Sequence, residues 1–158
     1  MKRELSGERA RKEYSSMKAE IKTRWLAELR DESNVKSVGA LYSKVRGQGV
    51  KWSALGLLVK LAMADEIIEA AKKIPRKNNW FFGTCEGTLP KAVVKWAELS
   101  SSLPMVRTPP MDLTGVEIEK IRYPHCDNGE VSFLVHSLND NGASFAQIAD
   151  LIEAGSVQ

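Results

Sequence analysis

Between residues 52 and 64 the chain reads WSALGLLVKLAMA, and its first carboxylate after this run is Asp65. These are helix formers, and their apolar positions fall nearly all round a helical wheel instead of along one stripe. A helix apolar on every side has to be covered on every side. Residues 52–71 are therefore expected to form a helix at the centre of the core, with Asp65, Glu66, Glu69, Lys72 and Lys73 marking its return to solvent. The charge-free stretch at 52–59 is far short of the ~18 apolar residues that span a bilayer. The cover must come from the rest of the polypeptide.

The first candidate cover is amphipathic. Ala10, Tyr14, Met17, Ile21, Trp25 and Leu29 recur at steps of three and four with Arg, Lys and Glu between them, which predicts a helix over residues 7–31. Ser15 and Ser16 are placed to break or kink it, so residues 1–16 are expected as an N-terminal helical extension and 17–158 as a single α+β domain. A chain of 158 residues suits one core and can bury roughly 70% of its unfolded surface. Residues 34–41 are expected as a loop with a weak strand, followed by a turn at Gly47-Gln48-Gly49.

Further along, Pro75 is expected to stop the central helix, because proline lacks an amide proton. Trp80-Phe81-Phe82 has the look of a short buried strand. Residues 89–99 predict a helix with Pro90 in its first turn and Leu89, Val93, Trp96 and Ala97 on one face. Residues 100–110 hold three prolines and three serines and predict a loop, whereas 116–121 alternate with period two as a half-buried strand does. A turn at 123–129, a strand or short helix at 131–138, and a serine-capped helix at 144–153 with Phe145, Ile148, Ala149 and Ile152 inward complete the chain. The expected fold class is α+β, with four or five helices packed on a small, mostly antiparallel sheet.

Charge is unevenly placed. Residues 1–80 carry 18 Lys+Arg against 10 Asp+Glu and the remainder 5 against 10, so a net +3 chain divides into about +8 and −5. Either one half binds a polyanion, or a basic face neutralises an acidic one within the same domain. The charged opening Met1-Lys2-Arg3-Glu4 is unlike a signal peptide, which predicts a cytoplasmic chain in which Cys85 and Cys126 are free thiols.

Two segments are more specific: LPKAVVKWAEL at 89–99 and SLNDNGASFAQIADLIE at 137–153. Together they resemble a family of small uncharacterised phage and prophage proteins with LPxxVxxWAxL and LNDxGxSFxxIADLIE motifs. Positions matching the family pattern are Lys22, Trp25, Ala27, Leu29 and Arg30 in the first helix, Gly39 and Leu41 after it, and Leu55, Gly56 and Leu61 in the central helix. Leu89, Pro90, Val93, Trp96, Ala97 and Leu99 follow. The terminal motif matches at Leu138, Asn139, Asp140, Gly142, Ser144, Phe145, Ile148, Ala149, Asp150, Leu151 and Ile152. Where the family often has cysteines this chain has Ser53, Ala54 and Val59, and Lys60 replaces the usual aspartate, so a thiol or metal role for that helix would be lost here. The resemblance implies a phage context, a host cytoplasm and a shared fold. It supplies no catalytic residues.

Candidate sites can be weighed one by one. Residues 137–153 look like the first two helices of a helix-turn-helix; with five residues after Glu153 for a recognition helix, plain helix packing is expected ahead of DNA reading. Lys72, Lys73, Arg76 and Lys77 beside Trp80, Phe81 and Phe82 form a basic and aromatic cluster suited to nucleic acid, against the plainer reading of a solvated helix end. Arg46 and Lys51, with Arg76 and Lys77, are the candidate contacts for a nucleotide or other small anionic ligand. His125, Cys126, Asp127, His136 and Cys85 are the only set with metal or nucleophile potential, and they lack metal-ligand spacing. Gly47-Gln48-Gly49 lacks the lysine and serine of a phosphate loop, and Glu117 and Glu119 fit the solvent face of a strand.

With no cofactor and no catalytic set expected, the leading expectation is a binding protein. A phage accessory factor that docks on a host protein and blocks it, such as an effector of antiviral defence, fits the resemblance best. Residues 1–16 and 100–130 are the expected contact surfaces, since loops and extensions vary without harm to a core. Trp25, Leu89, Pro90, Trp96, Leu138, Phe145, Ile148 and Ile152 are expected to hold the core.

Overall fold

A computed structural model of the chain describes residues 17–45, 47, 49–69, 72–73, 80–81, 88–117, 121, 126–127 and 129–158. The predicted extension, residues 1–16 with Ser15 and Ser16, lies outside them. Among the described residues are five α-helices and eight short strands, and the fold is α+β.

The apolar helix is the centre. Helix α2 (Ala54–Ala64; α1, Ala19–Leu29, precedes it) buries Ala54, Leu55, Gly56, Leu57, Leu58, Val59, Leu61 and Ala62. Ser53 caps its first turn by accepting the Gly56 amide at 3.0 Å. Each fully buried leucine here contributes roughly 1.5–3 kcal/mol over an exposed one. α1 lies against α2 through Ile21, Trp25 and Leu29, three residues spaced by four. The other covers of α2 are α3 (Lys91–Trp96) and α4 (Val135–Asp140). α5 (Phe145–Ala154) packs on α1 and α4.

Three small antiparallel sheets complete the described fold. β1 (Tyr42–Val45) and β2 (Gly49–Trp52) form a hairpin around the predicted turn, where Gly47 and Gly49 have φ of +83° and +74°. β3 (Lys72–Lys73) pairs with β4 (Trp80–Phe81). The third sheet runs in the order β6 (Cys126–Asp127), β7 (Glu130–Leu134), β5 (Met105–Thr108), β8 (Ser156–Val157). α5 packs against β5, whose Val106 stands opposite Phe133 on one side and Val157 on the other.

Several expectations are corrected. The central helix ends at Ala64, well before Pro75, because the amides of Glu66 and Ile67 turn back onto the carbonyls of Met63 (3.0 Å) and Ala62 (2.9 Å) with Glu66 at φ 58°. That is a Schellman ending, and it closes a helix without glycine or proline. Trp52 belongs to β2, and Lys72 and Lys73 lie in β3, not at a helix exit. α3 ends in the same way, earlier than Leu99, with Glu98 at φ 57° and the Leu99 amide on the Val94 carbonyl at 2.9 Å.

The predicted loop at 100–110 contains β5, a strand with partners on both edges. Pro104 and Pro109 stand just outside its ends, where a missing amide breaks no rung of the ladder, and Val106 and Thr108 alternate inward. Val116 and Glu117 are not strand: the Val116 amide closes a turn on Leu113 O at 3.0 Å and the Glu117 amide bonds Asn141 O at 2.9 Å. Residues 118–120 lie outside the described set. Residues 34–41 hold one isolated bridge, Lys36 to Trp52, in place of the weak strand. The ambiguous run 131–138 resolves into both alternatives, the end of β7 and the start of α4, and the turn at 123–129 contains β6.

Candidate functional site

A cleft of about 210 Å³ opens where the loop at 37–41, the N-terminus of α2 and helix α4 converge. Gly39, Ala40 and Ser53 lie along one part of it and Leu55, Thr88 and Leu103 along another, with His136, Asn139 and Asp140 supplied by α4. His136 and Asp140 are four apart, one turn of the same helix face.

Asn139 builds the floor. It is 1% exposed, and its Oδ1 accepts the Ala54 amide at 3.0 Å while its Nδ2 donates to Ser37 O at 2.8 Å and Asp140 Oδ1 at 3.0 Å. One side chain thus ties the start of α2, the loop and α4 together. Asp140 Oδ1 also accepts the Gly39 amide at 3.0 Å. Beneath, Lys36 Nζ donates to Asn139 O at 3.0 Å and Ala143 O at 2.9 Å. Burial pushes this ammonium below the usual lysine range, an effect the Asp140 carboxylate partly offsets. In contrast, His136 Nδ1 is buried without a hydrogen-bond partner among the described residues.

Several residues that match the family pattern make contacts that tie the fold together. Trp25 Nε1 donates to Ala54 O at 2.8 Å, and Lys22 Nζ reaches Gly155 O at 3.1 Å. Arg30 pairs with Asp150 at 3.2 Å and also with Glu153. Ser144 and Gln147 form a reciprocal capping box at the start of α5. A Cβ on Gly56 would stand 1.8 Å from Leu41 O, so these two pattern positions mark a close approach of helix and loop backbone. Lys60, at the departing position, donates to Glu28 at 3.0 Å and Asn34 at 3.2 Å.

The predicted site residues fare unevenly. Of the candidate anion contacts, Arg46, Arg76 and Lys77 lie outside the described residues, Lys72 and Lys73 are placed only as strand β3, and Lys51 is half-buried in β2. His125 and Cys85 also lie outside; Cys126 and Asp127 sit in β6, and His136 stands apart in the cleft wall. No group of three or more His, Cys, Asp or Glu among the described residues is placed to hold a metal ion. Of the expected core, Trp25, Leu89, Leu138, Ile148 and Ile152 are buried, and Trp96 and Phe145 pack partly exposed against it with Pro90 half-buried. The helix-turn-helix look of 137–153 ends in sheet: α5 runs into β8, which pairs with β5.

The cleft was not legible as a site in the sequence. Its walls come from segments up to a hundred residues apart, and the one local signal was the pair His136 and Asp140 at helical spacing.

No described helix is long and apolar enough to cross a membrane. Neither the curated proteins nor the solved structures give a match to the chain. A family model described as a domain of unknown function (DUF8296) matches residues 17–156, which takes in all but the last residue of the elements above, and the chain therefore belongs to the DUF8296 family.

Proposed function

We propose that this protein acts by binding another protein, as a phage accessory factor in the host cytoplasm that docks on a host protein, such as a component of antiviral defence, and blocks it. The observation that carries the docking reading is a set of exposed apolar side chains gathered about Trp52. Val38 is 60% exposed, Val35 49% and Val50 38%. The Val35 carbonyl accepts the Trp52 amide at 2.9 Å, the Ser37 amide beside Val38 donates to Trp52 O at 2.8 Å, and Val50 lies two residues before Trp52 on β2. Valines left in water around one strand end cost free energy unless something covers them, and such clusters mark interaction surfaces. These valines support the 35–38 loop and the hairpin as a further proposed contact beside residues 1–16 and 100–130. The phage setting rests on the family resemblance of the terminal and α3 motifs.

Affinity capture from host lysate, with nuclease present, compares the wild-type chain with a Val38→Lys/Val50→Lys variant. Both positions are exposed, so the variant is expected to fold with stability changed by less than about 0.5 kcal/mol per site. A stoichiometric host protein held by the wild type and lost by the variant is the expected result. Capture that is equal for both, or that vanishes with nuclease, sinks the docking reading and favours another surface or nucleic acid.

A further inference from the structure

We propose that the cleft beside Val38 is a socket for a basic side chain, an arginine of the docked partner; the inference rests on the docking reading above. The cleft and the apolar rim share one loop, because Gly39 and Ala40, which line the cleft, directly follow Val38. A partner covering the valines has the opening of the socket within reach of its next side chains.

The lining sets the chemistry. Leu55, Leu103 and Ala40 give apolar walls, whereas the polar side chains around them include the Asp140 carboxylate and the hydroxyls of Ser53 and Thr88, with His136 also in the lining. No lysine or arginine is among the described lining residues. The nearby Lys36 ammonium is spent on two carbonyls below the floor. Apolar walls with a carboxylate and hydroxyls among them match a side chain that carries a long methylene stem and a cationic head. Arginine fits better than lysine, because its planar fork offers five donors to acceptors spread around an opening. At about 210 Å³ the space is below the ~300–1,000 Å³ of pockets that enclose a drug-sized ligand, and suits one long side chain.

The test titrates isotope-labelled full-length protein with N-acetyl-arginine amide and follows the His136 ring nitrogens by NMR, assigned with a His136→Gln variant. N-acetyl-norleucine amide tests the stem without charge, and inorganic phosphate tests an anion. We expect a saturable shift with a dissociation constant on the order of 1–10 mM for so small a probe, about tenfold weaker in Asp140→Asn. That variant keeps an oxygen for the Gly39 amide. No shift with the arginine probe, an equal response in Asp140→Asn, or a His136 response to phosphate or norleucine amide alone overturns the socket. A failed titration with valine-dependent capture intact overturns the socket only. A working titration with failed capture overturns the docking reading and leaves a socket for free guanidinium compounds.

Discussion

The loop at 36–41 faces two ways, and its two faces are built on opposite terms. Inward, Lys36, Ser37 and Gly39 are hydrogen-bonded to Asn139, Ala143 and Asp140, and Leu41 presses against Gly56. Outward, Val38 stands 60% exposed, and the cleft wall beside it leaves His136 Nδ1 unpartnered. A buried polar group without a partner costs about 1–3 kcal/mol, so the inner face holds each tie for stability. On the rim, Val38 keeps its side chain in water. Of the residues that match the family pattern, Gly39, Leu41, Gly56, Asn139 and Asp140 make these inner contacts, and Gly39, Asn139 and Asp140 also line the cleft.

The inner face is most sensitive at Gly56. Substitution by Ala places a methyl group 1.8 Å from Leu41 O, where only backbone movement gives relief. We expect Gly56→Ala to destabilise by about 2–4 kcal/mol, read as a lowered urea midpoint. A loss under about 0.5 kcal/mol would show that loop and helix separate freely, and that the inner face is less tight than the outer one requires.

Next comes Asn139. Replacing it with Leu keeps the bulk and strands the Ala54 amide and the Ser37 carbonyl, for an expected loss of about 2–3 kcal/mol. The loop should loosen with it, seen as faster amide exchange at Gly39 than in helix α5. Unchanged exchange at Gly39 would mean that the Asp140, Lys36 and Trp52 bonds hold the loop without the Asn139 side chain.

How much of this the sequence discloses depends on the range of the forces involved. The apolar run of α2, the four-residue spacing of Ile21, Trp25 and Leu29, and the Ser144 cap were legible because each is set by neighbours within a turn or two. β5 was not: its prolines read locally as loop, and what makes it a strand is pairing with β7 and β8, residues 131–134 and 156–157. The end of α2 was missed because Glu66 takes a left-handed conformation that the sequence pattern assigns to glycine. The cleft was missed for the reason that hid β5, since Thr88, Ser53 and His136 meet only through tertiary packing.

A smaller effect, of opposite sign, is expected at the two helix endings. Glu66 and Glu98 sit at φ 58° and 57°, a region that costs a residue with a Cβ roughly 1 kcal/mol and costs glycine almost nothing. Glu66→Gly and Glu98→Gly should each stabilise the fold by about 0.5–1 kcal/mol, seen as a raised melting temperature. A fall in either case would show that the carboxylate, and not the backbone turn, is what the position requires.

The smallest expected effect lies on the surface, where Arg24 of α1 pairs with Asp65 at the end of α2 through bonds of 2.7 and 2.8 Å. The hydrogen bond from Arg24 holds the Asp65 carboxyl below the usual aspartate range. A carboxylate whose folded-state value is depressed adds stability above its unfolded value, near 4, and loses it as pH falls through the folded value. The stability difference between wild type and Arg24→Gln should therefore be present at about pH 7, shrink below about pH 4 and go on closing as pH falls through the folded value, and it should weaken with added salt. Melting temperatures of both proteins across that range give the comparison. A difference that persists undiminished into acid would mean that the Arg24 stem packs α1 against α2, and would move this pair from the rim to the inner face.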